Sequence, residues 1–247
     1  MAAILIARDV KKSYTSGART ETVLTSVSFT IDAGRFACIM GPSGSGKSTL
    51  LHIVSGLEPP TSGLVLLDQQ DVFALAERDR TLLRRSLVGF VFQFFNLIPN
   101  LSVRENIDLP LMMQGRERPG EDLHRKSVVE LLGLAQKQDA MPHQLSGGEM
   151  QRTSIARAIV HKPRIVMADE PTGNLSSKAG REVMQLLRSS CDRFGQTILL
   201  VTHNPRDAAF ADEVRFLKDG VLSADVHLKK GEVNETRVLE ALEHLQI

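Results

Sequence analysis

The chain has 247 residues, 42% of them hydrophobic and 24% charged, the balance of one large globular domain or of a core with a smaller lobe. Its 30 Lys and Arg against 29 Asp and Glu leave a net charge of +1, which argues against a nucleic-acid binder that works through bulk electrostatics. The two cysteines, Cys38 and Cys191, lie far apart, so reduced buried thiols and a cytosolic setting are expected rather than a disulfide.

The opening "MAAILIARDVKKSY" meets charge by Arg8, too early for a signal peptide. No apolar run approaches the roughly 20 residues of a membrane span, so any membrane role is expected to come through a partner. Strands are predicted at Ile4 to Val10, at the alternating Val27 to Ile31, and at the apolar Phe36 to Met40, with the Asp32-Ala33-Gly34 turn between the last two. A helix follows Lys47 and carries Leu50, Leu51, Ile53 and Val54 towards a core; Leu64 to Asp68 and Val88 to Phe92 read as further strands.

From about Asn96 to Gln144 the texture changes. Pro99, Pro110, Pro119 and Pro142 punctuate it, and Glu121 to Leu132 has an amphipathic period, the mark of an inserted, mainly helical lobe. Beyond it come the strand "RIVMAD", a helix from about Ser177 to Phe194, the strand "TILLVT", a short helix near Pro205, and the strands "EVRFL" and "GVLSADV". In the tail, Val238, Leu242 and Leu245 share one helical face, which suits a docking helix or one packed on its own domain. Alternating strands and helices imply an α/β fold with a largely parallel sheet covered on both faces. The expected division is a core from 1–95 and 146–227, a helical subdomain at about 96–145, and a tail at 228–247.

"GPSGSGKST", running Gly41, Pro42, Ser43, Gly44, Ser45, Gly46, Lys47, Ser48, Thr49, fits the phosphate-loop pattern and has the strand-before, helix-after context which that pattern requires. Its glycines let backbone N–H groups turn onto phosphate oxygens, Lys47 would reach the β- and γ-phosphates, and the Ser48 hydroxyl would serve Mg²⁺. The "RIVMADEP" strand delivers Asp169 and Glu170 to its carboxyl end, where ligands bind in open α/β sheets. Asp169 would hold Mg²⁺ through water, and Glu170 would act as the base on the attacking water. "TILLVTHNP" brings His203 to the same edge, with a role at the γ-phosphate.

"LSGGEMQ" raises a separate question. Ser146 and Glu149 form a capping box, and Gly147 and Gly148 stand at a helix entrance where something must approach the backbone. A helix N-terminus suits a phosphate, yet the chain already has a phosphate cradle.

Together these residues resemble the ATP-binding-cassette (ABC) ATPases over almost the whole chain, with "LSGGEMQ" matching that family's signature motif. The resemblance implies a P-loop cassette: a mainly parallel core sheet, an N-terminal antiparallel β part and an inserted helical subdomain. It implies a head-to-tail pair with a second ABC subunit, most simply a homodimer, in which Ser146, Gly147, Gly148 and Glu149 of one subunit meet the ATP held by the other. It also assigns Tyr14 to adenine stacking, Gln93 to Mg²⁺ and nucleotide, and His203 to the switch histidine. One departure stands out: "GNLSSK" has Ser176 where the family usually carries an acid that ties the two sites together, so weaker coupling between them is expected.

"FQFFNLIPNLSVRENI" resembles the branch of lipoprotein-releasing, macrolide-export and cell-division ATPases. That branch implies a separate integral-membrane permease, location on the cytoplasmic face of the inner membrane, and no nucleic acid. Transport and regulation of a membrane partner both stay open, with a soluble DNA- or ribosome-associated ATPase a further alternative. Phe94, Phe95, Leu97 and Ile98 suit either a groove for a partner's helix or packing of the lobe onto the core, whereas Phe90 and Phe92 are expected in the core.

Overall fold

In the computed structural model, residues 2–17, 19–115 and 121–247 are described. Pro119 lies outside them. Strand β1 (Ala3–Ser16) pairs antiparallel with β2 (Arg19–Asp32) on one side and with β4 (Ser62–Leu67) on the other, and β4 pairs with the short β5 (Gln70–Asp71). Along β2 the alternation is realised: Val27, Phe29 and Ile31 are buried, while Ser28 and Thr30 face out.

The second sheet has six strands in the order β10-β9-β3-β8-β7-β6. Its members are β3 (Phe36–Met40), β6 (Val88–Val91), β7 (Ile165–Asp169), β8 (Thr197–Thr202), β9 (Glu213–Lys218) and β10 (Val221–Leu228). All neighbours are parallel except the β9–β10 hairpin. The central strands are apolar without alternation because both faces are covered. Phe36, Cys38, Met40, Val166, Ala168, Ile198 and Leu200 point into one core. Ala37, Ile39, Ile165, Met167, Leu199 and Val201 point into another.

That second core is closed by α1 (Lys47–Val54), packed between the parallel sheet and the antiparallel one, with Leu50, Leu51, Ile53 and Val54 all buried. The first core receives α3 (Val103–Gln114), α4 (Glu121–Leu131), α5 (Gly147–Ile159), α6 (Ser177–Phe194), α7 (Pro205–Ala208) and α8 (Glu235–Leu245). The tail helix α8 packs on its own chain: Val238 and Ala241 are buried and the Lys218 ammonium holds the carbonyls of Leu245 and Gln246 at 2.9 and 3.2 Å.

Helix α2 (Glu77–Leu87) was not expected, because it buries only Leu83 and so carries no apolar stripe. It is held by polar contacts instead, the Glu77–Arg80 pair and the Arg84 bond to the Gly56 carbonyl at 2.8 Å. Phe90, partly buried, packs against the second core as expected, whereas Phe92, beyond the end of β6, belongs to neither core. On β6 the fully buried positions are Gly89 and Val91, and Phe90 and Phe92 stack on each other, centroids 4.3 Å apart, both partly buried at the rim of the second core. Cys38 and Cys191 are buried free thiols. No helix among the described residues is long and apolar enough to cross a membrane.

Candidate functional site

The loop between β3 and α1 makes its turns with two glycines at positive φ, Gly44 at 82° and Gly46 at 99°. A Cβ at Gly41 would sit on the Leu217 carbonyl, and one at Gly46 would press on Leu24, so the loop is clamped by β9 on one side and β2 on the other. The Asp219-Gly220 turn between β9 and β10 completes the clamp. Gly220 N–H donates to the Ser45 carbonyl at 3.2 Å, and the Gly220 carbonyl accepts from Thr25 N–H at 3.0 Å. Sequence reasoning missed this support. The Asp-Gly pair signals a tight hairpin, but nothing local says that it reaches the phosphate loop.

Lys47 is only 5% exposed and donates to the Pro42 carbonyl at 2.8 Å. Burial lowers its pKa, while Glu170 and Asp169 pull the other way. The Ser48 hydroxyl donates to Asp169 Oδ1 at 3.0 Å. Burial raises the Asp169 carboxyl above the usual range, opposed by that bond and by Lys47. Two hard oxygen donors meeting at the start of a phosphate-loop helix fit Mg²⁺, which takes few protein ligands and fills the rest of its octahedron with phosphate oxygens and water. The buried Ser45 Oγ has no hydrogen-bond partner among the described residues.

Glu170 follows the end of β7 at φ 41°, in the left-handed region and directly before Pro171. Its Oε1 lies 2.8 Å from His203 Nδ1, at the end of β8. The parallel register thus brings Lys47, Ser48, Asp169, Glu170 and His203 to one edge of the sheet. Tyr14 stands beside α1, its hydroxyl near Glu58 and Thr49, its ring under the Lys12 ammonium at 4.8 Å. Lys12 and Glu58, an ion pair at 2.8 Å, were not singled out from sequence. Gln93 lies just past β6. Its side chain packs on Gly173, and its carbonyl accepts from Asn174 Nδ2 at 2.9 Å.

Ser146, Gly147, Gly148 and Glu149 are elsewhere. Ser146 caps α5, its hydroxyl accepting from Glu149 N–H at 3.3 Å while Glu149 Oε2 takes the Ser146 N–H at 2.8 Å. Helix α5 packs on α3, α4, α6 and β6, and among the described residues no hydrogen bond joins its first turn to the phosphate loop. It does hold the stretch after Gln93: Gln151 Nε2 donates to the Phe92 carbonyl at 3.3 Å, and Arg157 donates to Phe95 and Asn96 at 3.0 and 2.6 Å.

A phosphate loop and paired acids on a parallel sheet edge define a P-loop nucleoside-triphosphate hydrolase. The ABC transporter family matches residues 24–173, and the chain belongs to that family as an ATP-binding, ATP-hydrolysing subunit. It is similar to the lipoprotein-releasing system ATP-binding protein LolD of Shewanella frigidimarina, 42% identical over 89% of this chain and 92% of that protein. It is equally similar to the uncharacterized ABC transporter ATP-binding protein MJ0796 of Methanocaldococcus jannaschii, 42% identical over 90% of this chain and 96% of that one. The solved dimer of MJ0796, in a post-hydrolysis state with ADP and Pi, superimposes with a TM-score of 0.81 at 39% identity, covering 91% of this chain and 98% of that chain.

Proposed function

We propose that two copies of this chain, or this chain and a related subunit, close head to tail on two ATP molecules and pass the closing motion to a separate integral-membrane permease. One observation carries the reading. The capped, glycine-opened N-terminus of α5 has the donors for a phosphate, but its hydrogen bonds stay within its own turn and reach no part of the phosphate loop. A second subunit supplies the nucleotide that this end requires, as the dimeric arrangement of the MJ0796 cassette supports.

In the closed pair, the residues Gly41, Pro42, Ser43, Gly44, Ser45, Gly46, Lys47, Ser48 and Thr49 enclose the phosphates, and Lys47 trades the Pro42 carbonyl for β- and γ-oxygens. Tyr14 stacks on adenine, its other face backed by Lys12. Ser48, Asp169 and Gln93 would hold Mg²⁺, which supplies charge neutralisation between the β- and γ-phosphates. Glu170 takes a proton from the attacking water as the water oxygen bonds to phosphorus and the β–γ bridging oxygen leaves with ADP. His203, hydrogen-bonded to Glu170, orients that carboxylate and faces the γ-phosphate. Ser146, Gly147, Gly148 and Glu149 of the second subunit complete the enclosure.

The permease docks in the apolar groove of about 360 Å³ between β6 and α3, lined by Phe90, Phe92, Ile98, Pro110 and Met113. Phe94, 70% exposed, stands at its entrance. On this reading the chain works on the cytoplasmic face of the inner membrane, held there by its partner. Gentle solubilisation of native membranes with this chain tagged tests the reading. Co-purification of a few-span permease with a large extracytoplasmic domain supports it; recovery with soluble proteins or nucleic acid alone would overturn it.

A further inference from the structure

Among the buried charged side chains of the described residues, Asp207 has no part in the chemistry above. It is 4% exposed, and its Oδ2 accepts a hydrogen bond from the Thr172 hydroxyl. A carboxyl in that position is expensive, because it loses water and faces a second carboxyl nearby. Burial raises its pKa and Glu170 adds to the rise, while the Thr172 bond and His203 oppose it. An apolar side chain would seal the same corner without that cost.

Nor is Asp207 employed as an ordinary helix-start acid. At the third position of α7 an acid would turn back to the cap N–H, but the Asn204 N–H is already bonded to Thr202 Oγ1 at 3.0 Å, and Asp207 points across to the neighbouring loop instead. Two segments meet there. One is α7, four residues long and too short to hold its place by helix propensity, which begins directly after His203 and Asn204. The other runs from Glu170, whose positive φ before a proline is a costly conformation that persists only where its surroundings fix it. Thr172 is two residues beyond that strained point. Behind it Gly180 leaves room: a Cβ there would come within 3.2 Å of the Thr172 Cβ.

We infer that Asp207 and Thr172 are positioning residues, a buried latch that locks the Glu170 loop to the His203 segment and so holds the Glu170–His203 pair in register. This rests on the reading of Glu170 and His203 as the hydrolytic pair. Neither latch residue touches nucleotide, so the latch acts on turnover and not on ATP capture.

The test compares T172V, T172S and D207A with wild type in steady-state ATP hydrolysis, in binding of a fluorescent ATP analogue and in thermal unfolding, with E170Q alongside. T172V replaces the hydroxyl with a methyl at nearly constant shape. It is expected to lower kcat about tenfold or more, as small misplacements of reacting groups do, with analogue affinity within about twofold of wild type. T172S restores the hydroxyl and is expected to recover most of the rate. The double variant T172V/D207A falls no further than the worse single one, since the bond can be lost only once. If T172V turns over at the wild-type rate while E170Q is inactive, the latch is wrong and the base assignment stands. If the loss in T172V is matched by lost analogue affinity or by partial unfolding, the pair is merely structural. Wild-type turnover in E170Q would remove the base assignment and the latch together.

Discussion

At the residue scale the consequences follow from which partner each side chain gives up. Lys47 is buried against a carbonyl, so its ammonium is ready to form charge-assisted bonds to phosphate at little ordering cost. Lys47→Ala should cost about 1.5–3 kcal/mol, or roughly ten- to a hundredfold in ATP affinity, measured by equilibrium titration. Glu170→Gln keeps the shape and removes the proposed base; phosphate release should fall about a hundredfold or more, while ATP binding survives. Chelating Mg²⁺ should abolish turnover and excess Mg²⁺ restore it, because Ser48 and Asp169 alone leave the phosphate charge unbalanced. Most of these positions were legible in the sequence because their signals are local. Gly41 to Thr49 and Asp169-Glu170 are contiguous runs with a strand on one side. Thr172 and Asp207 were not, since they are 35 positions apart and unremarkable singly. Only the parallel register of β7 and β8 brings them together.

At the element scale, the tightest junction is where α5 crosses β6. A Cβ at Gly89 would fall on the Ala158 carbonyl, and backbone cannot give way as a side chain can. Gly89→Ala should therefore destabilise the chain by about 1–3 kcal/mol, read from a shift in the denaturation midpoint. It should also disturb the stretch after Gln93, which α5 grips through Gln151 and Arg157. Periodicity found α1 and α6 because each buries a stripe. It missed α2, whose single buried Leu83 leaves charge pairs to define the helix. Of the alternating Phe90 and Phe92, only Phe90 meets a core, because β6 ends at Val91 and Phe92 lies beyond it. Alternation fixes which residues share a face, and here both faces meet a core, Val91 in the first and Val88 with Phe90 against the second.

At the scale of the whole molecule, ATP-loaded Glu170→Gln should elute at twice the monomer mass in size-exclusion chromatography with light scattering, and revert to monomer when ATP is removed. Met113→Glu places charge in the groove proposed for the permease, away from the sheet edge that carries Lys47 and Glu170. It should leave turnover of the isolated chain within about twofold of wild type and abolish capture of the permease, as an unpaired charge in an apolar interface does.

The six-stranded sheet serves as the common wall of both hydrophobic cores, with alternate residues of β3, β7 and β8 facing opposite sides. Neither compartment can lose its packing while the other keeps a flat surface to pack on. The amides of these three strands should accordingly share one exchange rate in deuterated buffer, set by global opening, and neither side should form a stable half-folded state.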